Sequence, residues 1–242
     1  MQRESELCNT TPRPEGNQLI AALPEEERRR LLELSEPVDL VFGSILCEVQ
    51  IPLEHAYFPL SGMISLVAAT HDHQPLGVAM IGNEGVLGAT LAMDVSTPRL
   101  RGVVHGSGIG LRITTSRLYH LLPDNPGLQS MLSRYAFVLM GQLLQTATCN
   151  SFHEVEMRLA RWLLMSDDRA SSGLLPLTHQ FLADMLGVQR SAVTIAAGKL
   201  QRKKLIGYSR GHIRILSRGG LEDASCECYG VQIRDYALQF AG

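Results

Sequence analysis

Residues 177–206, LTHQFLADMLGVQRSAVTIAAGKLQRKKLI, constrain the fold more than any other stretch of the chain. Two short amphipathic helices fit this stretch. The first runs from about Gln180 to Leu186 behind Thr178, a side chain suited to an N-cap. The second runs from about Arg190 to Lys203, with Val193, Ala196, Ala197 and Leu200 recurring on one inward face. Gly187 supplies the tight turn between them. Helix, glycine turn, helix is the spacing of a helix-turn-helix, whose second helix lies in the major groove of DNA. Gln189, Arg190, Ser191 and Thr194 are left on the outer side, and all four carry hydrogen-bonding groups that can reach base edges or phosphates.

Charge is distributed as this reading requires. The chain as a whole is slightly acidic, at −2. Between Met185 and Arg218, however, stand Arg190, Lys199, Arg202, Lys203, Lys204, Arg210, Arg214 and Arg218, without one Asp or Glu. The rest of the chain carries 14 basic against 24 acidic residues. One segment therefore suits a polyanion and the remainder does not. Behind the second helix, Gly207–Leu216 reads as a hairpin. Tyr208 precedes a polar turn at Ser209–Gly211, and His212-Ile213-Arg214-Ile215 alternates polar with apolar. Such a hairpin is a wing, and Arg210 and His212 at its tip are expected near the phosphate backbone. Thr178, His179 and Lys199 complete the set of expected DNA-contacting residues.

The motif residues resemble the DNA-binding segment of the Crp–Fnr superfamily of bacterial transcription regulators, without a gap. Thr178 matches the family's threonine at the start of the first motif helix, Gly187 its turn glycine, and Arg190 its first base-contacting arginine. Ser191 stands where the family usually has an acidic residue. Ile195 stands where the cyclic-AMP receptor branch has a second base-contacting arginine. The resemblance covers about residues 35–218. It implies an α+β chain: a cyclic-nucleotide-binding-like β-roll (jelly roll), a long dimerisation helix and a winged helix-turn-helix. It also implies a homodimer on a near-palindromic operator, with double-stranded DNA and RNA polymerase as partners, in the bacterial cytoplasm.

The remaining segments fit that plan. At 242 residues the chain has room for two small domains, each with its own core. No run of 18 apolar residues occurs, so no membrane partner is expected. Residues 1–18 are polar, lack a signal-peptide core and are expected to be a disordered leader. The β-roll is expected over 19–124, beginning with one helix over 19–34 that has Pro24 near its start. Glycine-punctuated β-rich runs follow: VDLVF, AYFPL, MISLVAAT, LGVAMI, RGVVH and IGLRI. YFPLSGMISL resembles the entry to the family's effector domain. Residues 125–150 read as the dimerisation helix, with Leu128, Leu132, Tyr135, Leu139, Gln142 and Thr146 at three- and four-residue steps. Residues 151–218 form the DNA-binding domain. There Trp162 anchors the core, Arg158 and Arg161 lie on a polar face, and Cys149–Ser151 is the hinge. Residues 219–242 extend beyond the wing as two helical stretches, Leu221–Cys228 and Val231–Phe240. Tyr229, Tyr236 and Phe240 are expected to dock on the DNA-binding domain or on the partner subunit.

Sensing is less determined. Nucleotide-binding relatives carry a Gly-Glu pair for the ribose and Arg-Ser or Arg-Thr for the cyclic phosphate. Here Glu84 sits between Asn83 and Gly85, and Arg99 and Arg101 lie near the phosphate position with neither followed by Ser or Thr. These three are the effector-binding expectation, and cyclic AMP is not the expected effector. Two alternatives stand beside it: an effector-independent DNA-binding protein with a structural β-roll, and a metal- or redox-responsive regulator. For the latter, Cys149 and His153 are four residues apart on one helical face, and Cys226 and Cys228 form a C-x-C. Relatives with an iron–sulfur cluster use cysteines near the N-terminus, where this chain offers only Cys8. Nothing in the sequence itself requires a cofactor. His71–His73 reads as a solvated turn. GxSxG, P-loop, HExxH and GxGxxG motifs do not occur, so no enzyme activity is expected.

Overall fold

The computed structural model of the chain describes residues 16–68, 75–170, 174–175, 177–209 and 211–240. Cys8, His71–His73 and Arg210 therefore lie outside the described residues, as does most of the expected leader. Asn17 is already part of the fold. It is buried, caps the first helix by accepting from Ile20 N, and donates from Nδ2 to the carbonyls of Pro59 and Gly85.

The chain opens with α1 (Gln18–Ala21) and α2 (Glu25–Leu34). The single helix expected over 19–34 is thus divided. Pro24 has φ −52° and ψ 142°, so it starts the second helix instead of continuing the first. Strands β1 (Glu36–Leu40), β2 (Ile45–Cys47), β3 (His55–Pro59), β4 (Met63–Ala68), β5 (Leu76–Ile81), β6 (Arg101–Gly106) and β7 (Gly108–Thr114) then form two antiparallel sheets, in the orders β1-β7-β3 and β2-β6-β4-β5. Every β-rich run read from the sequence contributes a strand. The three-residue β2 has too few residues to show alternation. A 3-10 turn at Ala89–Met93 and helix α3 (Thr115–Leu121) close this unit, and α4 (Pro126–Phe152) leaves it.

The apolar run in β4 is continuous because both its faces are covered. Ile64 and Leu66 point into the β-roll core, whereas Met63 and Val67 belong to the core of the C-terminal domain. In β5, Ala79 and Ile81 face the roll and Met80 the other core. Leu128, Met131, Leu132, Tyr135 and Val138 of α4 pack on the roll. Tyr135 comes so close to the Gly82–Gly85 turn that a Cβ at Gly85 would fall 1.8 Å from its Oη. Only glycine fits there.

The second unit comprises α5 (Val155–Arg169), β8 (Leu174–Leu175), α6 (His179–Leu186), α7 (Arg190–Arg202), β9 (Ile206–Ser209), β10 (His212–Ile215), α8 (Arg218–Ala224) and α9 (Cys228–Phe240). Trp162 is buried in its core, as expected. Arg158 and Arg161 are buried as well, which corrects the polar face read for them. The ends of α4 and α6 cover that side of α5. Arg158 Nη2 donates to the Leu186 carbonyl, and Arg161 Nη2 donates to Thr146 Oγ1 at 3.4 Å. The break between domains also moves. α4 runs on through Phe152, and the chain turns extended at His153 and Glu154, not at Cys149–Ser151. The tail departs from expectation too. Tyr229 docks on Asp168 of α5, but Tyr236 donates to the Glu84 carbonyl at 3.1 Å and Phe240 packs with the roll and under Arg134 of α4. α9 thus lies along α4 and spans both units. No helix among the described residues is long and apolar enough to cross a membrane.

Candidate nucleic-acid interface

The helix-turn-helix forms where its local signals place it. Thr178 Oγ1 accepts from Phe181 N at 3.1 Å and so starts α6. Gly187 ends it at φ 61° and ψ 42°, the left-handed conformation that favours glycine, with Leu76 of β5 pressed against it. α7 buries Val193, Ala196, Ala197 and Leu200 against α5 and α6. Gln189, Arg190, Ser191, Thr194 and Ile195 are exposed along its opposite side. The two alanines keep the buried face flat, so the outer face stands clear of the core.

Around this face the expected residues take different roles. Arg190 and Gln189 are free to meet a ligand: Gln189 makes no side-chain cap bond and Arg190 no ion pair among the described residues. Thr194 is partly engaged within the motif. Its hydroxyl donates to the Arg190 carbonyl and receives the His179 Nδ1–H at 3.0 Å. His179 stacks on Tyr208 of the wing, with ring centroids 4.4 Å apart. Burial first and the Arg190 charge second hold its imidazole below the ordinary value, in the neutral form. His179 is thus a bracket joining α6, α7 and wing. Lys199 and Lys203 both reach Glu156 of α5, at 3.4 and 2.7 Å. Arg218 is held by Asp167, Asp168 and Glu222. Arg202 and Lys204 at the far end of α7, and Arg214 on the wing, remain exposed. In the wing, β9 and β10 pair Ser209 with His212 and Ile206 with Ile215, and the two-residue β8 adds a third strand that no periodicity could announce. Ile213 points into the core and His212 outward, as the alternation predicts.

The expected effector residues do not share an ion-pair network. Glu84 receives Arg169 of α5 through Nη2 at 2.6 Å and Nε at 2.9 Å, with both side chains largely buried. Arg101 pairs with Glu48 at 2.9 Å, and Arg99 is exposed. Glu84 and Asn83 border an open pocket of about 330 Å³ lined largely by α4, α5 and α9.

The metal-ligand candidates, by contrast, converge. Cys149 near the end of α4, His153 at the domain break, Cys226 between α8 and α9, and Cys228 at the start of α9 present donor atoms all within 4.8 Å of one another. Cys149 and Cys226 are 77 residues apart in sequence and 3.5 Å apart at sulfur. Spacing alone had shown only the i,i+4 pair and the C-x-C.

The architecture is thus a β-roll joined by a long helix to a winged helix-turn-helix. Residues 157–224 match the Crp-like helix-turn-helix domain. The whole fold is similar to FixK2 from Bradyrhizobium japonicum, at 16% identity and TM-score 0.67 over 79% of this chain and 98% of that one. It is similar also to a Crp/Fnr-family transcriptional regulator from Eubacterium rectale, at 15% identity and TM-score 0.67 over 85% and 96%. The c-di-GMP-responsive global regulator CLP of Xanthomonas campestris matches at 20% identity and TM-score 0.64 over 79% and 99%. No curated protein sequence matches the chain. The protein has the fold of Crp/Fnr-family regulators and carries a Crp-like helix-turn-helix domain.

Proposed function

We propose that this protein is a sequence-specific transcription regulator that acts as a homodimer on a near-palindromic operator. The observation that carries this is the outer face of α7. Gln189, Arg190 and Ser191 stand exposed at the start of a helix fixed by its own buried face, while the exposed cations Arg202 and Lys204 lie at its far end and Arg214 on the wing. The geometry suits side chains entering a major groove with cations flanking them on the phosphates. Thr178 and His212 lie at the start of α6 and on the wing, where backbone contacts fall in such domains. The exposed stripe of α4, with Phe137, Met140 and Leu144 at steps of three and four, supports pairing with a second copy. Two-fold pairing sets two recognition helices about 34 Å apart, one turn of DNA. RNA polymerase is a further expected partner of a protein in this class.

A second reading, regulation without a small-molecule effector in the roll, is favoured by one contact. Arg169 occupies Glu84 and thereby ties α5 to the turn where nucleotide-binding relatives hold ribose.

The test is selection of bound sequences from random duplex DNA. An enriched two-fold motif with half-sites about one helical turn apart is the expected outcome. With that motif in hand, Arg190→Ala should weaken operator binding by about 1–3 kcal/mol and relax preference at one base position. Unchanged operator affinity would show that α7 does not read bases.

A further inference from the structure

Three thiols and an imidazole meet where the two domains join, and the function proposed above uses none of them. Cys149, Cys226 and Cys228 are buried, Met157 packs against them, and His153 has only a 13% exposed side chain. Cys149 Sγ lies 3.5 Å from Cys226 Sγ, and Cys228 Sγ lies 3.5 Å from His153 Nδ1. A tetrahedral zinc ion with Zn–S near 2.3 Å and Zn–N near 2.0–2.1 Å requires ligand edges of about 3.8 Å between sulfurs and about 3.6 Å from sulfur to nitrogen. These two separations match those edges to within a few tenths of an ångström. In an iron–sulfur cluster the ligands are divided among two or more irons, which spreads the set of ligand atoms wider than a single ion's coordination shell. Donor atoms confined within 4.8 Å of one another suit one ion.

The groups around the donors complete the case. His153 turns Nδ1 to the thiols and Nε2 to Glu227 Oε1, 3.2 Å away. A carboxylate on the far nitrogen fixes the imidazole's tautomer and ring orientation, as it does for metal-binding histidines generally. Gln145 Nε2 donates to Cys228 Sγ at 2.9 Å, a bond that strengthens when the sulfur is a thiolate. Three thiolates on a divalent ion leave one net negative charge. The buried guanidinium of Arg161, which lines the same small cavity as Cys149, offsets it. Hard oxygen-seeking cations have no match in a donor set of three sulfurs and one nitrogen, whereas zinc does.

We propose that Cys149, His153, Cys226 and Cys228 form a closed tetrahedral site for one zinc ion. Binding releases the thiol protons and ties three chain segments together: the end of α4, the extended turn at His153, and the link between α8 and α9. The ion is then a clamp on the joint that sets where the recognition helix stands relative to the dimerisation helix. Its closed shell marks it as structural, with no position open to substrate.

The experiment is metal analysis of the full-length protein purified without chelators, followed by replacement with cobalt(II). One zinc per chain and a cobalt spectrum with thiolate-to-metal charge transfer and intense tetrahedral d–d bands are expected. Bound zinc should also shield three thiols from a thiol reagent until a chelator is added. Cys228→Ser should weaken zinc binding by at least about 100-fold. Glu227→Gln, a change at an exposed side chain that leaves the ligands in place, should weaken it by about 10-fold with the fold intact by circular dichroism. None of these readouts depends on DNA, so they stand or fall separately from the regulator reading. Three results would overturn the proposal: iron with inorganic sulfide in place of zinc, a Cys149–Cys226 disulfide in the isolated protein with no zinc uptake after reduction, or full thiol reactivity in the presence of excess zinc.

Discussion

Glu156 is the residue whose position changes most how the basic segment is understood. Its carboxylate is 13% exposed and holds Lys203 at 2.7 Å and Lys199 at 3.4 Å. The Lys203 hydrogen bond, ahead of the Lys199 contact, keeps its carboxyl below the ordinary range. Counted in the sequence, these lysines belong to an uninterrupted basic run. In the structure, an acid from α5, well upstream of both, neutralises part of it. Glu156→Gln should therefore strengthen binding to arbitrary duplex DNA by about 0.2–1 kcal/mol at low salt. The gain should shrink as salt rises, because surface charges are screened. A titration of random-sequence DNA at two ionic strengths measures it, and equal affinity at both would mean that these lysines do not face phosphate. The outer face of α7 was readable from the sequence because it rests on a local 3.6-residue period. The Glu156 contact was not, because it joins α5 to α7 across the core.

At the scale of elements, α4 shows what periodicity can and cannot deliver. Its apolar residues form two stripes. Leu128, Leu132, Tyr135 and Gln142 are covered by the roll, whereas Phe137, Met140 and Leu144 are exposed, Leu144 by 66%. The first stripe was legible; Phe137, Met140 and Leu144 of the second were not singled out by the spacing. Nor was the end of α4 legible: the helix lacks a glycine or proline stop and runs on to Phe152. Arg158 and Arg161 were misread for a related reason. An arginine on an amphipathic helix looks solvent-facing unless the element that covers it is known, and the covering pieces come from the ends of α4 and α6. Burying the exposed stripe against a second copy would remove several large apolar side chains from water, each worth about 1.5–3 kcal/mol when fully buried. If the proposed dimer forms through this stripe, Leu144→Asp should leave the protein monomeric in light scattering and abolish binding to two-fold DNA sites, while thermal unfolding of the roll changes little. A wild-type protein that is monomeric at micromolar concentration would refute the pairing.

At the scale of the whole molecule, the two domains are locked by an aromatic cluster that joins the first motif helix to the roll. Phe42 and His105 of the roll meet Phe181 of α6, with the His105 and Phe181 rings edge to face at 4.5 Å, and Trp162 closes the cluster from α5. The sequence places these four residues in separate elements and gives no period that links them. Burial pushes the His105 imidazole down to about 4 from its ordinary 6.5. In the docked state it is neutral, with its Nδ1 unpaired among the described residues. Well above its ordinary value of 6.5, neither the folded nor the unfolded form is protonated there, and the full stability is present. As the pH falls from 6.5 towards 4, the unfolded or undocked form takes up a proton that the docked form refuses, so stability is progressively lost. At about pH 5 the loss from this one group is about 2 kcal/mol, and below about pH 4 it levels off. The proton also favours any arrangement in which α6 leaves the roll. Denaturant unfolding at about pH 7 and about pH 5 should show this loss, and His105→Leu should remove most of the difference while keeping an apolar side chain in the cluster. A pH dependence unchanged in His105→Leu would mean that other groups set it and that the imidazole is not the buried base at the domain joint.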